Sequence, residues 1–463
     1  MDQQWKKYLP PVCAGAGGAL LVFTAVACMG LDQGGWLDRA GIAAVLIALA
    51  GLSLLLLRME GVRGDALLIL LLPIGAAMVL RALSLDYISG DYVSFLKHWA
   101  EFFRTYGGFS TLASNVGNYN VPYLYYIAFM SYIGVPDLYM YKLLSILFDV
   151  VLAWGCFRLV RSLTRDRQGS AAPLTAFAAA LLLPVVVLNG AYWGQCDVIY
   201  GALAIHAAAL VLEGKNKTSV ALMAVAFSFK LQAVFILPLW GVLWLAKKVR
   251  FWELWVFPVT YLATILPAVF LGKPLADILG IYFNQMTEVP HLVLNAASVY
   301  QFIPRALHEG LAEGKLASVL GIAAAAALVL ILLGLGFWLK ERVDRDITMT
   351  MAVILCIGVP FFLPHMHERY FFLADVFTLC WACANVRRLP VAVLAGGASL
   401  ASYVVYLRQK YNFIVTIGSA QFGMALEALA MLGALAVSVW VLVRQLRQVN
   451  RQGELTLNSC LGM

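Results

Sequence analysis

Apolar runs separated by short polar connections fill almost the whole chain. Runs of roughly 18 or more apolar residues recur from end to end, and each is long enough to cross a bilayer as a helix. The pattern predicts an all-α integral membrane protein with about fourteen transmembrane helices. The predicted spans are residues 10–29, 41–58, 65–84, 137–163, 171–190, 195–213, 217–230, 232–247, 252–271, 316–340, 347–364, 369–386, 390–407 and 420–445.

Two further stretches, residues 92–106 and 119–134, are amphipathic or rich in tyrosine. Phe95 and Trp99 share one helical face of the first stretch, and tyrosine and tryptophan rings prefer the membrane–water interface. We therefore predict two external helices that lie in this interface. If residues 119–134 were a span, the arginine-rich connection at 158–167 would move to the outer side.

Composition leaves no room for a sizeable soluble domain. The chain is 62% hydrophobic and 13% charged, whereas soluble domains carry about a quarter charged residues.

We predict an N-terminal transmembrane pair at 1–64 and a central module at 65–271 with an external loop at 85–136. A second external loop at 272–315 and a C-terminal transmembrane module at 316–463 complete the chain.

Lysine and arginine set the predicted orientation. Most of the 33 basic residues flank the connections on one side, among them Lys6, Lys7, Arg387 and Arg388. This side is cytoplasmic by the positive-inside rule, so both termini are predicted in the cytoplasm, with the protein in the cell membrane. The net charge of +8 then reflects topology and contact with membrane lipid, and gives no reason to expect nucleic acid as a partner.

Four unusual polar segments fall on the outer side in this topology. Insertion of an ionisable side chain at membrane depth costs roughly 2.5–3.5 kcal/mol, so a segment with several such side chains commonly has a function. For each segment a structural reading stays open: a solvated aspartate, a lysine that snorkels, or a structural His–Glu–Arg network. The segments are SLDYISGDY at 84–92, WGQCDVIY at 193–200, FSFKLQ at 227–232 and PHMHERY at 364–370.

Other polar residues within the apolar runs favour structural roles. Arg81, near the outer end of its span, is expected to snorkel to the interface. Lys142 and Asp149 are seven residues apart on one helical face, which favours a positional role over catalysis. Asp375 is expected to pair within the helix bundle.

The polar segments belong to a longer series of motifs: SGDY followed by YGGF, YNVPYLY, KLLSILFD, GQCDVIY, FSFKLQAVFILP and LPHMHERYFFLADV. Over roughly residues 65–385 this series resembles the GT-C superfamily of glycosyltransferases. It looks most like the bacterial multi-pass mannosyl- or glucosyltransferases that use polyprenyl-phosphate sugars. It is distantly similar to the dolichyl-phosphate-glucose-dependent glucosyltransferases of N-glycan assembly.

The resemblance implies a GT-C fold and an inverting hexosyltransferase that uses a polyprenyl-phosphate sugar at the outer face of the membrane. The acceptor would be a lipid-linked glycan, a glycolipid or a secreted polymer. The resemblance also implies a catalytic aspartate in the first external loop, and Asp91 matches it best. Transfer to a hydroxyl needs a carboxylate to take the proton. Asp86 is the rival, although its nearness to a span end favours an interfacial or structural role.

The leaving polyprenyl phosphate needs fixed cations, for which we assign Lys230, Arg369 and His367. Glu368 would orient Arg369 or bind a sugar hydroxyl, and a structural ion pair is an equal alternative. The remaining candidates for substrate binding are His365, Asp197, Gln195 and Gln232.

No cofactor is required by the sequence. The eight cysteines, mostly within apolar runs, suggest neither a zinc site nor a disulfide framework. A divalent metal ion held by Asp86, Asp91 and Asp197 is an open alternative.

Two other functions compete with this one. A nucleotide-sugar transferase would need a soluble domain, yet the D-x-D at residues 344–346 lies in a short inner loop. A transporter or flippase for lipid-linked sugars is the main alternative. Such proteins commonly contain internal repeats and midplane polar groups, and neither is evident in this chain.

Overall fold

The structure, a computed structural model, describes residues 3–167, 169–287, 291–303, 312–408 and 420–460. It is 80% helical, and its long apolar helices confirm the prediction of an all-α membrane protein. The predicted external loop at 272–315 lies partly outside the described residues.

The helices of the first half are α1 (Gln3–Met29), α2 (Trp36–Met59), α3 (Asp65–Ala82), α4 (Lys97–Tyr106), α5 (Val121–Met130), α6 (Asp137–Leu163), α7 (Ala172–Leu182), α8 (Pro184–Val187), α9 (Asp197–Leu212) and α10 (Asn216–Phe229). Two π-helical turns, Tyr92–Leu96 and Leu188–Trp193, lie before α4 and after α8.

The second half contains α11 (Pro238–Leu245), α12 (Phe251–Leu254), α13 (Val256–Phe270), α14 (Leu275–Thr287), α15 (Ala312–Leu339), α16 (Arg345–Phe362), α17 (Phe372–Ala384), α18 (Leu389–Arg408) and α19 (Ala420–Cys460). Two short strands, β1 (Val293–Leu294) and β2 (Met366–His367), pair in parallel.

Short 3₁₀ turns lie in both halves. They are Gly108–Thr111, Leu231–Phe235, Val299–Phe302, Lys340–Arg342 and Val386–Arg388.

Nine helices among the described residues are long and apolar enough to cross a membrane, and all nine coincide with predicted spans. A tenth is obtained if Ala172–Leu182 and Pro184–Trp193, bent by 43°, are counted as one span. The nine are Lys7–Met29, Trp36–Met59, Asp65–Ala82, Asp137–Leu163, Phe251–Phe270, Gly314–Arg342, Arg345–Phe362, Val386–Leu407 and Met424–Arg451.

The predicted count of about fourteen spans is not confirmed in the described part of the chain. Helices α9, α10 and α17 have 16, 14 and 13 residues, fewer than the roughly 20 that a crossing takes. The four predicted spans that correspond to shorter helices are 195–213, 217–230, 232–247 and 369–386. In these four regions the described helices are short and adjoin polar turns.

The two predicted loop helices are present. Residues 92–106 form the first π-helical turn and α4, and α5 covers ten residues of the 119–134 stretch. At about 1.5 Å per residue, α5 is half as long as the roughly 30 Å hydrocarbon core is thick. It is too short to cross by itself, while its position in the membrane interface stays a prediction.

The chain divides into two compact units, and the predicted four-part division stays a prediction. The first unit consists of Met1–Glu213, Ala221–Leu231 and Phe257–Gln285. In it α1 packs on α3, and α6 packs on α7 and α9. A Cβ at Gly17 of α1 would meet the backbone of Leu71 on α3, so a small residue is needed where these helices touch.

A buried ion pair joins α3 to α6 in this unit. Arg81 Nε donates to Asp149 Oδ2 at 2.8 Å, and both side chains are 0% exposed. Arg81 Nη1 donates to the carbonyl oxygens of Ala77 and Leu181, each at 3.0 Å. The expectation that Arg81 snorkels is wrong, because its guanidinium finds these partners inside the bundle. Asp149 has a positional role, as predicted.

The second unit consists of Gly214–Val220, Gln232–Val256 and Met286–Met463. Helix α16 lies deepest, in contact with α11, α15, α17 and α19. Ser399 on α18 donates to the buried Asp375 on α17 at 2.8 Å, so Asp375 is bonded within the bundle as predicted.

Candidate functional site

Asp91 stands at the start of the first π-helical turn, just after the loop that leaves α3. The Ser89 hydroxyl donates to the carbonyl oxygen of Trp193 at 2.8 Å and accepts the N–H of Tyr92 at 3.2 Å. One buried serine therefore fixes the Asp91 loop against the segment that contains Trp193 and Gln195.

That second segment owes its shape to a proline and a glycine. Pro184 favours an extended conformation at the preceding Leu183, which separates α7 from α8. After the second π-helical turn, Gly194 adopts φ +83°, a left-handed conformation that glycine tolerates best. The chain then returns so that the Gln195 N–H donates to the Asn189 carbonyl oxygen at 2.8 Å.

The Asp91 carboxylate accepts two hydrogen bonds on one oxygen. Gln195 Nε2 donates to Asp91 Oδ2 at 2.5 Å, and Trp193 Nε1 donates to the same oxygen at 3.1 Å. Both donors are buried, whereas Asp91 itself is half-buried. Two rigidly held donors thus orient a carboxylate that is still partly exposed.

Lys230 and Asp197 form an ion pair in the same unit. Lys230 Nζ donates to Asp197 Oδ1 at 2.6 Å, and Asn189 Nδ2 donates to Asp197 Oδ2 at 2.8 Å. The Lys230 side chain is 7% exposed and that of Asp197 is 0% exposed. Lys230 was predicted as a phosphate-binding cation, and the structure adds that a carboxylate already holds its ammonium group.

Tyr119 contacts both of these groups. Its hydroxyl donates to Gln195 Oε1 at 3.4 Å, and Lys230 Nζ lies 5.6 Å from the centre of its ring. The rings of Trp99 and Tyr123 pack against it at centroid distances of 5.7 and 4.8 Å. The Asp91 and Lys230 groups are therefore neighbours around one aromatic ring.

Sequence reasoning missed Tyr119, Trp193 and Asn189 as site residues. Tyr119 and Trp193 both stand inside motifs that were singled out, YNVPYLY and WGQCDVIY. Asn189 lies in a run that reads as an ordinary span, so only folding shows that it hydrogen-bonds Asp197.

Asp86 lies in a different environment from Asp91. It accepts hydrogen bonds from the Tyr139 hydroxyl at 2.6 Å and from the Asp32 N–H at 3.1 Å. These bonds tie the end of α3 to α6 and to the α1–α2 connection. This agrees with the structural role that its position favoured, and its use in substrate binding stays a prediction.

The second unit holds the His–Glu–Arg cluster. Glu368 is buried and accepts a hydrogen bond from Arg369 Nη1 at 3.3 Å. His367 Nδ1 lies 4.0 Å from Glu368 Oε1, and the Arg369 guanidinium lies 5.7 Å from the centre of the Tyr370 ring. The structure thus brings His367, Glu368 and Arg369 together around one carboxylate.

The cluster is held by the chain that precedes α15. Strand β2 pairs with β1, and the His365 N–H donates to the Leu292 carbonyl oxygen at 2.7 Å. His365 Nδ1 lies 2.8 Å from the His291 carbonyl oxygen. His365 and Asn295 have φ values of +64° and +54°, in the left-handed region that His and Asn adopt more readily than most residues with side chains.

Gln232 and Tyr300 also lie in this unit. Gln232, a predicted substrate ligand, is buried in a 3₁₀ turn, and its Oε1 meets no donor among the described residues. Tyr300 donates to the carbonyl oxygen of Phe362 at 2.9 Å, and burial raises the pKa of Tyr300 to about 12. The Tyr300 hydroxyl therefore anchors this segment to the end of α16.

The described ranges contain no set of three or more His, Cys, Asp or Glu side chains placed to hold a metal ion. Cys380 and Cys383 have the C-x-x-C spacing within α17. In the D-x-D sequence, Asp344 caps α16 by accepting the Ile347 N–H, and Asp346 binds Arg388.

The arrangement in the first unit combines a fixed carboxylate with a nearby buried cation. Such a carboxylate can take a proton from a hydroxyl group, and such a cation can stabilise developing negative charge.

No model of a protein family matches the chain, and no curated protein matches it.

Proposed function

We propose that the protein is an inverting glycosyltransferase that moves a sugar, a hexose, from a polyprenyl phosphate to an acceptor hydroxyl. The chemistry takes place at the outer face of the cell membrane, and both termini are cytoplasmic. The acceptor is a lipid-linked glycan, a glycolipid or a secreted polymer. The GT-C resemblance motivates the proposal, and the polar network of the first unit supports it.

The observation that carries the proposal is the setting of Asp91. Its carboxylate is oriented by Gln195 and Trp193, stays half-buried, and lies one aromatic ring away from the Lys230–Asp197 pair. A general base must be fixed and must reach the proton it removes. The Asp149 side chain, by contrast, is 0% exposed, so an acceptor hydroxyl could not reach it.

The proposed reaction is a single displacement. The acceptor oxygen attacks the anomeric carbon and forms the new C–O bond while its proton passes to Asp91. The bond between the anomeric carbon and the phosphate oxygen breaks, and the polyprenyl phosphate leaves with the electron pair. Fixed cations stabilise the charge that develops on this phosphate.

Lys230 supplies one of these cations in the proposal. Asp197 accepts from its ammonium group and is itself held by Asn189, so little reorganisation is required when the phosphate arrives. The sequence motifs also assign Arg369 to the donor phosphate, because a guanidinium offers paired N–H groups to phosphate oxygens. His365, His367 and Glu368 keep their predicted roles in binding phosphate or sugar hydroxyls.

The test uses purified full-length protein in detergent. It is incubated with polyprenyl-phosphate hexoses and a panel of membrane acceptors, and new glycosidic bonds are detected by mass spectrometry. We expect transfer by the wild-type protein and a rate lower by about two to four orders of magnitude for Asp91→Asn. Movement of lipid-linked sugars between leaflets of proteoliposomes, with no new bond, would overturn the proposal in favour of a flippase.

A further inference from the structure

The first two turns of α6 present polar side chains to the segment that contains Asp91. Lys142 is fully buried, and its Nζ donates to the carbonyl oxygens of Ser84, Leu85 and Tyr87 at 2.9, 2.7 and 2.8 Å. A lysine ammonium has three hydrogens, and all three are used on one short stretch of backbone.

The same helix holds the chain after Asp91. The Tyr141 hydroxyl donates to the carbonyl oxygen of Leu96 at 2.9 Å. Asp137, the first residue of α6, forms an ion pair with Arg104 of α4. Contacts from α6 therefore flank Asp91 on both sides along the chain.

One turn further on, α6 also contacts the segment that contains Gln195. The Ser145 hydroxyl donates to the Gln195 carbonyl oxygen at 2.7 Å. A Cβ added at Gly190 would stand 2.9 Å from the Ser145 Cβ, so the segment packs directly on this face. Lys142 and Ser145 are three residues apart and lie on the same side of the helix.

We propose that this face of α6 holds the segments that contain Asp91 and Gln195 in fixed positions relative to each other. Lys142 is the main residue of this face. Lys142 is a positioning residue, because its contacts are to backbone carbonyls and not to the Asp91 side chain. Without its ammonium, the carbonyl groups of Ser84, Leu85 and Tyr87 would lose this donor, and the loop would loosen. The kinetic part of the inference rests on the proposed glycosyl transfer, and the structural part does not.

Hydrogen–deuterium exchange of the full-length protein in detergent tests the structural part. Lys142→Met keeps the apolar stem and removes the ammonium, so we expect faster exchange of the amides in residues 84–92. The matched control is Lys273→Met, since Lys273 is also a buried lysine of this unit but donates to the Ser114 carbonyl oxygen at 2.9 Å. This control should loosen residues 108–116 and leave 84–92 unchanged.

Turnover tests the kinetic part. We expect Lys142→Met to lower kcat by about 10- to 100-fold, with the donor KM within about threefold, because small misplacements of a base cost rate more than binding. Lys142→Arg should restore part of kcat. If Lys142→Met does not fold, hydrogen–deuterium exchange of Ser145→Ala tests the structural part instead. We then expect faster exchange that is confined to residues 193–196.

Unchanged exchange at residues 84–92 in folded Lys142→Met would overturn the inference, as would unchanged exchange at 193–196 in Ser145→Ala. A wild-type protein without transferase activity would defeat the proposed function alone. The exchange results would then still decide whether α6 positions the two segments.

Discussion

Two buried cation–carboxylate pairs lie in the first unit, and their surroundings differ. In the Arg81–Asp149 pair both side chains are 0% exposed, and the arginine also donates to two backbone carbonyls. In the Lys230–Asp197 pair the lysine retains some exposure and lies over the ring of Tyr119, which also bonds Gln195.

The difference distinguishes an ion pair that stabilises the helix bundle from one that can take part in a reaction. A pair enclosed by three helices, as Arg81 and Asp149 are, orders those helices and offers nothing to a ligand. A pair next to a half-buried carboxylate and an aromatic ring can respond to a bound molecule. We therefore expect substitutions around Arg81 to change stability, and substitutions around Asp91 and Lys230 to change turnover.

The largest expected effect is on the turnover of Asp91→Asn. The amide keeps the shape of the carboxylate but cannot take a proton, so turnover should fall by about two to four orders of magnitude. Donor binding should survive, because the assigned phosphate contacts lie elsewhere. Single-turnover kinetics and a donor-binding assay measure the two quantities separately.

Asp86→Asn is the matched control for Asp91→Asn, since Asp86 bonds Tyr139 and the Asp32 N–H. Its turnover should stay within about tenfold of wild type. Near-normal turnover of Asp91→Asn beside an inactive Asp86→Asn or Asp197→Asn would show that another carboxylate is the base.

Arg81→Met should instead affect stability. Removal of one partner leaves the Asp149 carboxylate buried without its cation, so the free energy of unfolding should fall by about 3–5 kcal/mol. The double variant Arg81→Met/Asp149→Leu should recover most of this loss. Unfolding in mixed detergent measures both, and a fully stable Arg81→Met would contradict the architectural role.

Lys230→Ala should show an intermediate effect on the donor. Loss of the ammonium should weaken use of the polyprenyl-phosphate sugar by about 1.5–3 kcal/mol, the usual scale for a charged hydrogen bond. Arg369→Ala should have an effect of similar size. Donor titrations of kcat/KM give the measurement, and wild-type values for both variants would remove these residues from the phosphate site.

Tyr119→Phe should have the smallest effect. It keeps the ring below Lys230 and removes only a 3.4 Å hydrogen bond to Gln195, so turnover should fall by less than about tenfold. Tyr119→Ala removes the ring as well and should cost more. Equal turnover of the two variants would show that the ring has no part in joining the Asp91 and Lys230 groups.

Much of the helical framework followed from the sequence, because apolar run length reports directly on the ability to cross a bilayer. All nine long apolar helices of the described residues fall where spans were predicted. The count is not confirmed at α9, α10 and α17, where residues such as Gln195 and Lys230 mark polar turns between short helices. The amino-acid composition of an apolar stretch does not indicate where a helix ends beside such a turn.

The candidate site was predicted in part. Its motifs drew attention to Asp91, Gln195, Asp197 and Lys230, and folding places these four in one unit. The pairing of Lys230 with Asp197 was not predicted, because 33 residues separate them along the chain. A contact at that separation depends on how α9 and α10 pack, and local periodicity does not report it.

The sequence by itself determined the class of the protein, the positions of its long helices and the polar segments to which chemistry is assigned. These depend on local composition, since burial in a bilayer selects for apolar runs and penalises isolated charges. The tertiary structure decided which charges are paired and which residues position others. Arg81 changed from an expected snorkelling residue to a buried anchor, and Lys142 became the donor to three carbonyls. Partner choice is set by packing between distant helices, so it emerges only in the folded chain.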